Sequence, residues 1–311
     1  MRILITGGAG FQGSHLSESL LKKGHKITIL NTLSERAFLN IKNIKNKVKL
    51  VWGSITDPEL VNKTVREHDV VFHLAAYINV DESRLHPERT IETNVMGTVN
   101  ILNAVKENNN RLIYVSSCEV YGDGHPDDSK LSETAEMRPN SPYAASKAAA
   151  DRICYSYFKT FDTDITIVRP FNIFGEGQKA GQFGALIPIL VNKAMGGENL
   201  TVFGDGKQAR DYMHVDDVIS AYNLVLNSKN LKGKVINFGT GKGTKIIDIA
   251  NYIAKNFKVK VVHAPARPGE VTKFGADISF ARSLGWKPKV DFWQGLDRYI
   301  EWAIQNAKYV R

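Results

Sequence analysis

The stretch Arg2-Ile-Leu-Ile-Thr-Gly7-Gly-Ala-Gly10-Phe-Gln-Gly13 decides how the rest of this 311-residue chain is read. Its first half is a short apolar run, as a buried parallel strand requires. Three glycines follow at spacing three and three, and Ser14 to Lys23 then carries Leu16, Leu20 and Leu21 at helical spacing. Strand, glycine turn and helix, in that order, form the context in which a glycine pattern holds a dinucleotide. Gly7 suits the tight turn, Gly10 lets a pyrophosphate approach the backbone, and Gly13 lets the helix lie close on the strand. The helix N-terminus adds free N–H groups and a partial positive charge for the phosphates.

Working outward, apolar runs predict further strands over Ile27 to Leu30, Val48 to Trp52, Asp69 to Leu74, Arg111 to Ser116 and Ile165 to Arg169. Asp57 and Pro58 read as the N-cap and first position of a helix. Arg89 to Asn108 reads as one long helix containing Asn94. Strands alternating with helices predict an α/β fold with a Rossmann-type doubly wound parallel sheet. After Pro170 the texture changes: Gly175, Gly177, Gly181, Gly184 and Pro188 crowd together. Shorter elements follow over Leu200 to Phe203, Val215 to Leu226, Val235 to Phe238, Ile246 to Phe257 and Phe292 to Ala307. The expected organisation is a dinucleotide-binding domain over 1–171 and a smaller C-terminal α/β substrate domain over 172–311. Segments near 212–241 are expected to return to the first.

No run approaches eighteen uncharged apolar residues, so no membrane helix is expected. Met1 runs directly into the first strand, which leaves no room for a signal peptide. Cys118 and Cys154 make no disulfide framework, and a cytoplasmic protein with free thiols is expected. The net charge is +9, but the lysines (Lys42, Lys45, Lys47, Lys49, Lys255, Lys258, Lys260) are scattered rather than interleaved with aromatics. Neither nucleic acid nor a membrane is the expected partner, and no metal is expected. An anionic small substrate suits the basic balance.

The predicted fifth strand ends in Ser116-Ser117-Cys118-Glu119-Val120-Tyr121-Gly122. Ligands in open α/β sheets bind beyond the carboxyl ends of the strands, so these side chains face the cofactor crevice. Further on comes Ser141-Pro142-Tyr143-Ala-Ala-Ser-Lys147. Ser141 can cap a helix and Pro142 can take its first position. Tyr143 and Lys147 then lie one turn apart on one face. An ammonium beside a phenol favours the phenolate, which can take a proton from a sugar hydroxyl while hydride leaves its carbon. Tyr155 and Lys159 repeat the spacing, but they lie three turns further from the strand ends and read as structural. Asn31 ends the second strand, where a carboxylate would hold the ribose of NAD. Its amide can still bond a hydroxyl and does not repel a phosphate, and Arg36 is close in sequence. NAD is the expected cofactor, with NADP the alternative. Tyr77, Asn79 and Ser83 follow the fourth strand, where they would read the sugar.

These motifs together resemble the extended short-chain dehydrogenase/reductases, in particular the nucleotide-sugar epimerases and dehydratases. The resemblance covers essentially the whole chain. It rests on Thr6-Gly7-x-x-Gly10-x-x-Gly13, Leu74-Ala-Ala76, Asn94-Val-Met-Gly97, Ser116 to Gly122 and Tyr143-x-x-x-Lys147. Arg169-Pro-Phe-Asn172, Phe203-Gly-Asp-Gly206, Arg210-Asp-Tyr-x-x-Val215, Asn237-Phe-Gly-x-Gly241 and Arg267-Pro-Gly-Glu270 extend it. The resemblance implies that Ser117, Tyr143 and Lys147 run an oxidation at the sugar C4. It implies cofactor contacts from Gly7, Gly10, Phe11, Gln12, Gly13, Asn31, Arg36, Ser54, Ile55, Leu74, Ala75, Ala76, Asn94, Ser116, Tyr143, Lys147 and Pro170. Asn172, Arg210 and Arg267 would meet the substrate diphosphate, Phe203 its base and Glu270 its ribose.

There are departures: Asn31 and Ser54 stand where the family often has aspartates, and Gln12 replaces a usual isoleucine. Epimerases of the group usually place small neutral residues at 118 and 119. Dehydratases place an acidic or hydroxyl residue followed by Glu, and the Cys118-Glu119 pair is similar to that of the 5,6-dehydratases of tunicamycin biosynthesis. A dehydratase of a nucleoside-diphosphate hexose is therefore expected. A 4-epimerase is the alternative and a non-catalytic cofactor-sensing protein the second. The resemblance also implies a homodimer.

Overall fold

The computed structural model describes residues 1–32, 34–78, 80–122, 130–180, 185–266 and 275–310. Six strands in chain order, β1 (Arg2–Thr6), β2 (Lys26–Asn31), β3 (Lys49–Trp52), β4 (Val70–His73), β5 (Arg111–Val115) and β6 (Ile165–Pro170), pair in parallel. Val235–Phe238 adds a seventh strand beside β6. The spatial order is Val235–Phe238, β6, β5, β4, β1, β2, β3. The order reverses between β1 and β4, the switch point at which doubly wound sheets bind their ligands. β4 and β6 are buried along their whole length, because helices cover both faces of a parallel sheet.

The helices that matter to the site are α1 (Phe11–Lys22), α2 (Glu35–Asn40), α3 (Pro58–Val65), α4 (Val80–Leu85), α5 (Pro87–Ile91), α6 (Gly97–Asn108) and α7 (Pro142–Phe161). α3 begins as its sequence requires: the Asp57 side chain accepts from Leu60 N at 3.0 Å, with Pro58 at the first position. α7 does the same, with Ser141 Oγ accepting from Ala144 N at 3.1 Å ahead of Pro142. The expected single helix over 89–108 is broken differently. α5 runs into one π-helical turn, Glu92–Met96, and only then into α6. A π turn inserts a residue without changing the apolar periodicity much, so the sequence does not announce it.

The chain divides into two compact units. The first holds Met1–Val120, Pro139–Pro170 and Val218–Ile236; the second holds Tyr121–Arg138, Phe171–Asp217 and Asn237–Arg311. The first is built on the sheet. Leu4, Val71, Leu112 and Ile167 pack one sheet face against Val61, Ile101, Val105 and Cys154. The second has its own core of Phe174, Ile187, Leu190, Leu200, Ile249, Ile253, Leu296 and Tyr299. The segment 121–138, read from sequence as part of the first domain, groups with the second. Both Asn237 amide ends help hold that segment, the oxygen accepting from Tyr121 OH at 2.7 Å and the nitrogen donating to Leu131 O at 2.9 Å.

Candidate active site

The glycine turn between β1 and α1 is built around backbone contacts that leave no room for side chains. Gly7 has φ +69°, and a Cβ there would stand 2.9 Å from Ala75 N in the segment after β4. A Cβ on Gly13 would stand 2.2 Å from Gly7 O, so α1 sits directly on the turn. Gly10 is the N-cap of α1 and offers no side-chain cap, and a Cβ there would meet only Gly7 O, at 3.1 Å. The first α-helical bond is Ser14 N to Gly10 O, 2.9 Å. The N–H groups of Phe11, Gln12 and Gly13 are therefore the orphan donors of a helix start, suited to a pyrophosphate. At the end of β5 the Ser116 side chain is buried and its Oγ has no hydrogen-bond partner among the described residues. A cradle closed to Cβ atoms, bare amides and an unpaired buried hydroxyl fit a bound dinucleotide.

Other expected cofactor residues are placed differently in detail. Asn31 Oδ1 accepts from Ala9 N at 3.3 Å and its Nδ2 donates to Thr32 O at 2.9 Å, while Asn40 donates to Ala9 O at 2.6 Å. Asn31 thus supports the glycine turn itself. The Gln12 side chain turns away toward Val215–Asn227, where it accepts from the buried Tyr222 OH at 2.6 Å. Ser54 Oγ bonds Thr56 Oγ1 at 2.8 Å. Ile55 is buried against Gly97, whose missing Cβ makes room for it. Leu74, Ala75 and Ala76 are half-buried beyond β4, and Pro170 ends β6. The Arg36 side chain lies outside the described residues.

Asn94 has a structural role besides the expected cofactor contact. It is buried in the π turn, accepts from Tyr77 N at 2.6 Å, and donates to Tyr77 O at 3.0 Å and to Ser146 Oγ at 2.9 Å. Both Nδ2 hydrogens and one lone pair of Oδ1 are used in pinning the chain after β4 to α7, which leaves the second lone pair of Oδ1 for any further partner. Ser83 is likewise occupied. Its Oγ donates to Val80 O at 2.5 Å and accepts from Tyr143 N at 3.1 Å, so it supports the start of α7. The Tyr77 hydroxyl donates to Glu82 at 2.5 Å and its ring lies under the Arg89 guanidinium, 5.0 Å away.

Ser117, Cys118, Glu119, Tyr143 and Lys147 all belong to the first unit. Cys118 and Glu119 open a single 3₁₀ turn, Cys118–Tyr121, directly after β5, and Glu119 N donates to Ser117 Oγ at 3.1 Å. The Tyr143 phenol is hydrogen-bonded to Ser117 and feels the charge of Glu119. Burial pushes this phenol well above the ordinary tyrosine range and Glu119 adds to the rise; the Ser117 bond pulls the other way, and Cys118 again raises it.

The expected lysine–phenol contact is not what the structure shows. Lys147 Nζ donates to Val115 O at 2.7 Å and lies 4.5 Å from the centre of the Tyr114 ring. Burial pushes this ammonium down to about 8, against the influence of Cys154 and Asp151. A buried ammonium takes the nearest carbonyl, and the end of β5 supplies one. Tyr155 is 37% exposed and its ring lies under the Arg152 guanidinium, 5.2 Å away.

In the second unit, Asn172 Nδ2 donates to Asp211 O at 3.1 Å, beside Arg210. Asp211 is fully buried and accepts from Thr240 N, Thr240 Oγ1, Gly241 N and Ala276 N. Sequence reasoning misses Asp211, although its place between Arg210 and Tyr212 in a recognised motif is a signal. Phe203 ends the strand Leu200–Phe203 and is half-buried. Asn79, Arg267 and Glu270 lie outside the described residues. Among the described residues, no helix is long and apolar enough to cross a membrane and no acidic, His or Cys cluster suits a metal.

A seven-stranded doubly wound sheet with a glycine turn at its switch point and Ser, Tyr and Lys side chains past β5 defines a Rossmann-type dinucleotide-dependent enzyme. The chain belongs to the NAD dependent epimerase/dehydratase family, whose profile matches residues 3–239. It is 34% identical to UDP-N-acetyl-alpha-D-glucosaminuronate decarboxylase from Bacillus cytotoxicus, covering 98% of this chain and 99% of the relative. It is 33% identical to dTDP-glucose 4,6-dehydratase from Streptomyces niveus, covering 99% and 94%. The solved UDP-glucose 4-epimerase from Thermus thermophilus, in complex with NAD, is 31% identical with a TM-score of 0.88, covering 98% and 100%.

Proposed function

We propose that this chain is an NAD-dependent nucleotide-sugar dehydratase that removes water across C5–C6 of a nucleoside-diphosphate hexose after transient oxidation at C4. Relatives of nearly equal similarity carry decarboxylase, dehydratase and epimerase names, so the choice rests on this chain's own residues. The observation that carries it is the placement of Cys118 and Glu119 together in the turn that follows β5, with Glu119 N bonded to Ser117 Oγ at 3.1 Å. C4 epimerisation needs no base for C5–H, whereas elimination does.

The orphan amides of α1, with Gly7, Gly10 and Gly13, would hold the pyrophosphate, and Ser116 would meet the buried end of the dinucleotide. The bound dinucleotide supplies the acceptor, and later the donor, of one hydride. Tyr143, beside Ser117, would take the O4 proton as the C4 hydroxyl becomes a ketone once the positive charge of the bound oxidised dinucleotide offsets the burial that otherwise keeps the phenol protonated. The ketone acidifies C5–H, and Glu119 takes that proton. Cys118, a buried thiol, donates the proton with which the C6 hydroxyl leaves as water. A 4,6-dehydration would end with the hydride at C6 and a proton returned to C5, and a 5,6-dehydration with the hydride back at C4. NAD is preferred over NADP by a modest margin, because Asn31 can bond a ribose hydroxyl. The assignment of Asn172, Phe203, Arg210, Arg267 and Glu270 to the nucleotide rests on the family resemblance. Two buried free thiols support a reducing cytoplasm, and exposed Ile91 and Met96 beside α6 support a homodimer.

Glu119→Gln tests the reading. The amide cannot accept the C5 proton, so the variant is expected to reduce its cofactor on addition of substrate yet release little dehydrated product. Wild-type turnover in that variant, with a product isomeric to the substrate, would make Glu119 structural and the enzyme an epimerase.

A further inference from the structure

A buried chain of hydrogen bonds runs beneath the glycine turn, and its direction follows atom by atom. Thr98 Oγ1 lies 2.6 Å from Asn94 O, which can only accept, so the Thr98 hydroxyl proton points there. His73 Nε2 lies 3.0 Å from the same Thr98 oxygen. With that oxygen's proton already committed, Nε2 carries a hydrogen and donates it. A neutral ring then leaves Nδ1 as an acceptor, and Thr6 Oγ1, 2.7 Å away, donates to it. Thr6 Oγ1 in turn accepts from Ala75 N at 3.2 Å. His73, Thr6 and Thr98 are all at most 1% exposed. Burial, followed by the charge of Lys147, pushes the imidazole down to about 3, which keeps the ring neutral across the working range. Its other aromatic neighbour is Tyr114, ring centres 5.6 Å apart.

We propose that His73 is a positioning residue: locked as the Nε2–H tautomer, it joins Thr6 and Thr98 into one unit that fixes the segment after β4 against the glycine turn and the π turn. Ala75 is the reason this matters. Its backbone approaches Gly7 so closely that no Cβ fits between them, so its position sets the floor of the dinucleotide bed. At the other end, the peptide that accepts from Thr98 is that of Asn94, whose side chain pins Tyr77 and α7. The chain thus runs from the end of β1, through the end of β4, to the turn that carries Asn94.

The proposal rests on the dinucleotide reading, and coupling is what it must show. The experiment takes Thr6→Val, Thr98→Val and the double variant, with NAD binding followed by calorimetry and amide exchange followed by mass spectrometry on cofactor-free protein. Each valine is expected to weaken NAD about tenfold, and the pair also about tenfold rather than a hundredfold, because either substitution breaks the same unit. Thr6→Ser and Thr98→Ser, which keep the oxygen, are expected to bind within about twofold of wild type. Thr98→Val should accelerate exchange at the Ala75 amide, which Thr98 does not touch. Reciprocally, Thr6→Val should accelerate exchange in the 92–98 turn. Additive losses, serines as weak as valines, or unchanged remote exchange would overturn the proposal. If the wild type binds neither NAD nor NADP, the dinucleotide reading fails, while the exchange data still decide the coupling. Should Thr98→Val not fold, Thr98→Ala breaks the same link.

Discussion

Tyr143 and Lys147 share a face of α7, yet their polar ends go to different partners, the phenol to Ser117 and the ammonium to Val115 O. Removing the phenolic oxygen should therefore leave the lysine and the glycine turn undisturbed. Tyr143→Phe is expected to keep NAD affinity while turnover falls by about 10²–10⁴; Tyr155→Phe should retain activity. A dead Tyr155→Phe beside an active Tyr143→Phe in the same kinetic assay would mean that the spacing had been assigned to the wrong pair.

Lys147 carries a second prediction. Its folded pKa of about 8 lies below the ordinary value of 10.5. Between the two, the unfolded chain binds more protons than the folded one, so this lysine makes stability rise with pH in that window. From pH 8 to 9.5 the rise is about 1.5 kcal/mol. Lys147→Met should lack it, as urea unfolding at the two pH values would show. An equal rise in both proteins would assign the effect to other groups.

At the scale of elements, the two glycines that flank the start of α1 do different things. A Cβ on Gly13 collides with Gly7 O and Gly8 Cα, backbone atoms that cannot step aside, whereas one on Gly10 meets only Gly7 O at 3.1 Å. Gly13→Ala is expected to cost about 3 kcal/mol of stability and to abolish NAD binding. Gly10→Ala should keep a near-normal melting temperature but lose NAD, because its methyl points where the pyrophosphate would lie. Equal melting temperatures for the two would contradict this division. The same contrast marks what could be read from sequence. The glycine turn, the Asp57-Pro58 and Ser141-Pro142 helix starts and the alternation of strands with helices are local signals, and each has its element in the structure. The π turn at Asn94, Ser83 beneath Tyr143 N, and Gln12 held by Tyr222 depend on partners 17, 60 and 210 residues away. No local pattern carries them. The Lys147 contact escapes the sequence for a related reason: helical spacing sets where its Cα lies, while the carbonyl that captures its ammonium belongs to β5.

At the scale of the whole molecule, helices cover the faces of the sheet, but the helical run that includes Ile91 and Met96 leaves both of these side chains about half exposed. A two-fold pairing of that face with its copy would bury them. Light scattering at micromolar concentration is expected to give twice the chain mass, and a monomer mass would reject the dimer. Elimination of water separates the proposed dehydratase from an epimerase. Its most direct test incubates the wild-type enzyme, in D₂O, with a panel of UDP- and dTDP-hexoses and reads the product by mass spectrometry and proton NMR. The expected product is lighter than its substrate by one water, with deuterium at C5 for a 4,6-dehydration or no hydrogen at C5 for a 5,6-dehydration. A product of unchanged mass with an altered sugar would contradict it.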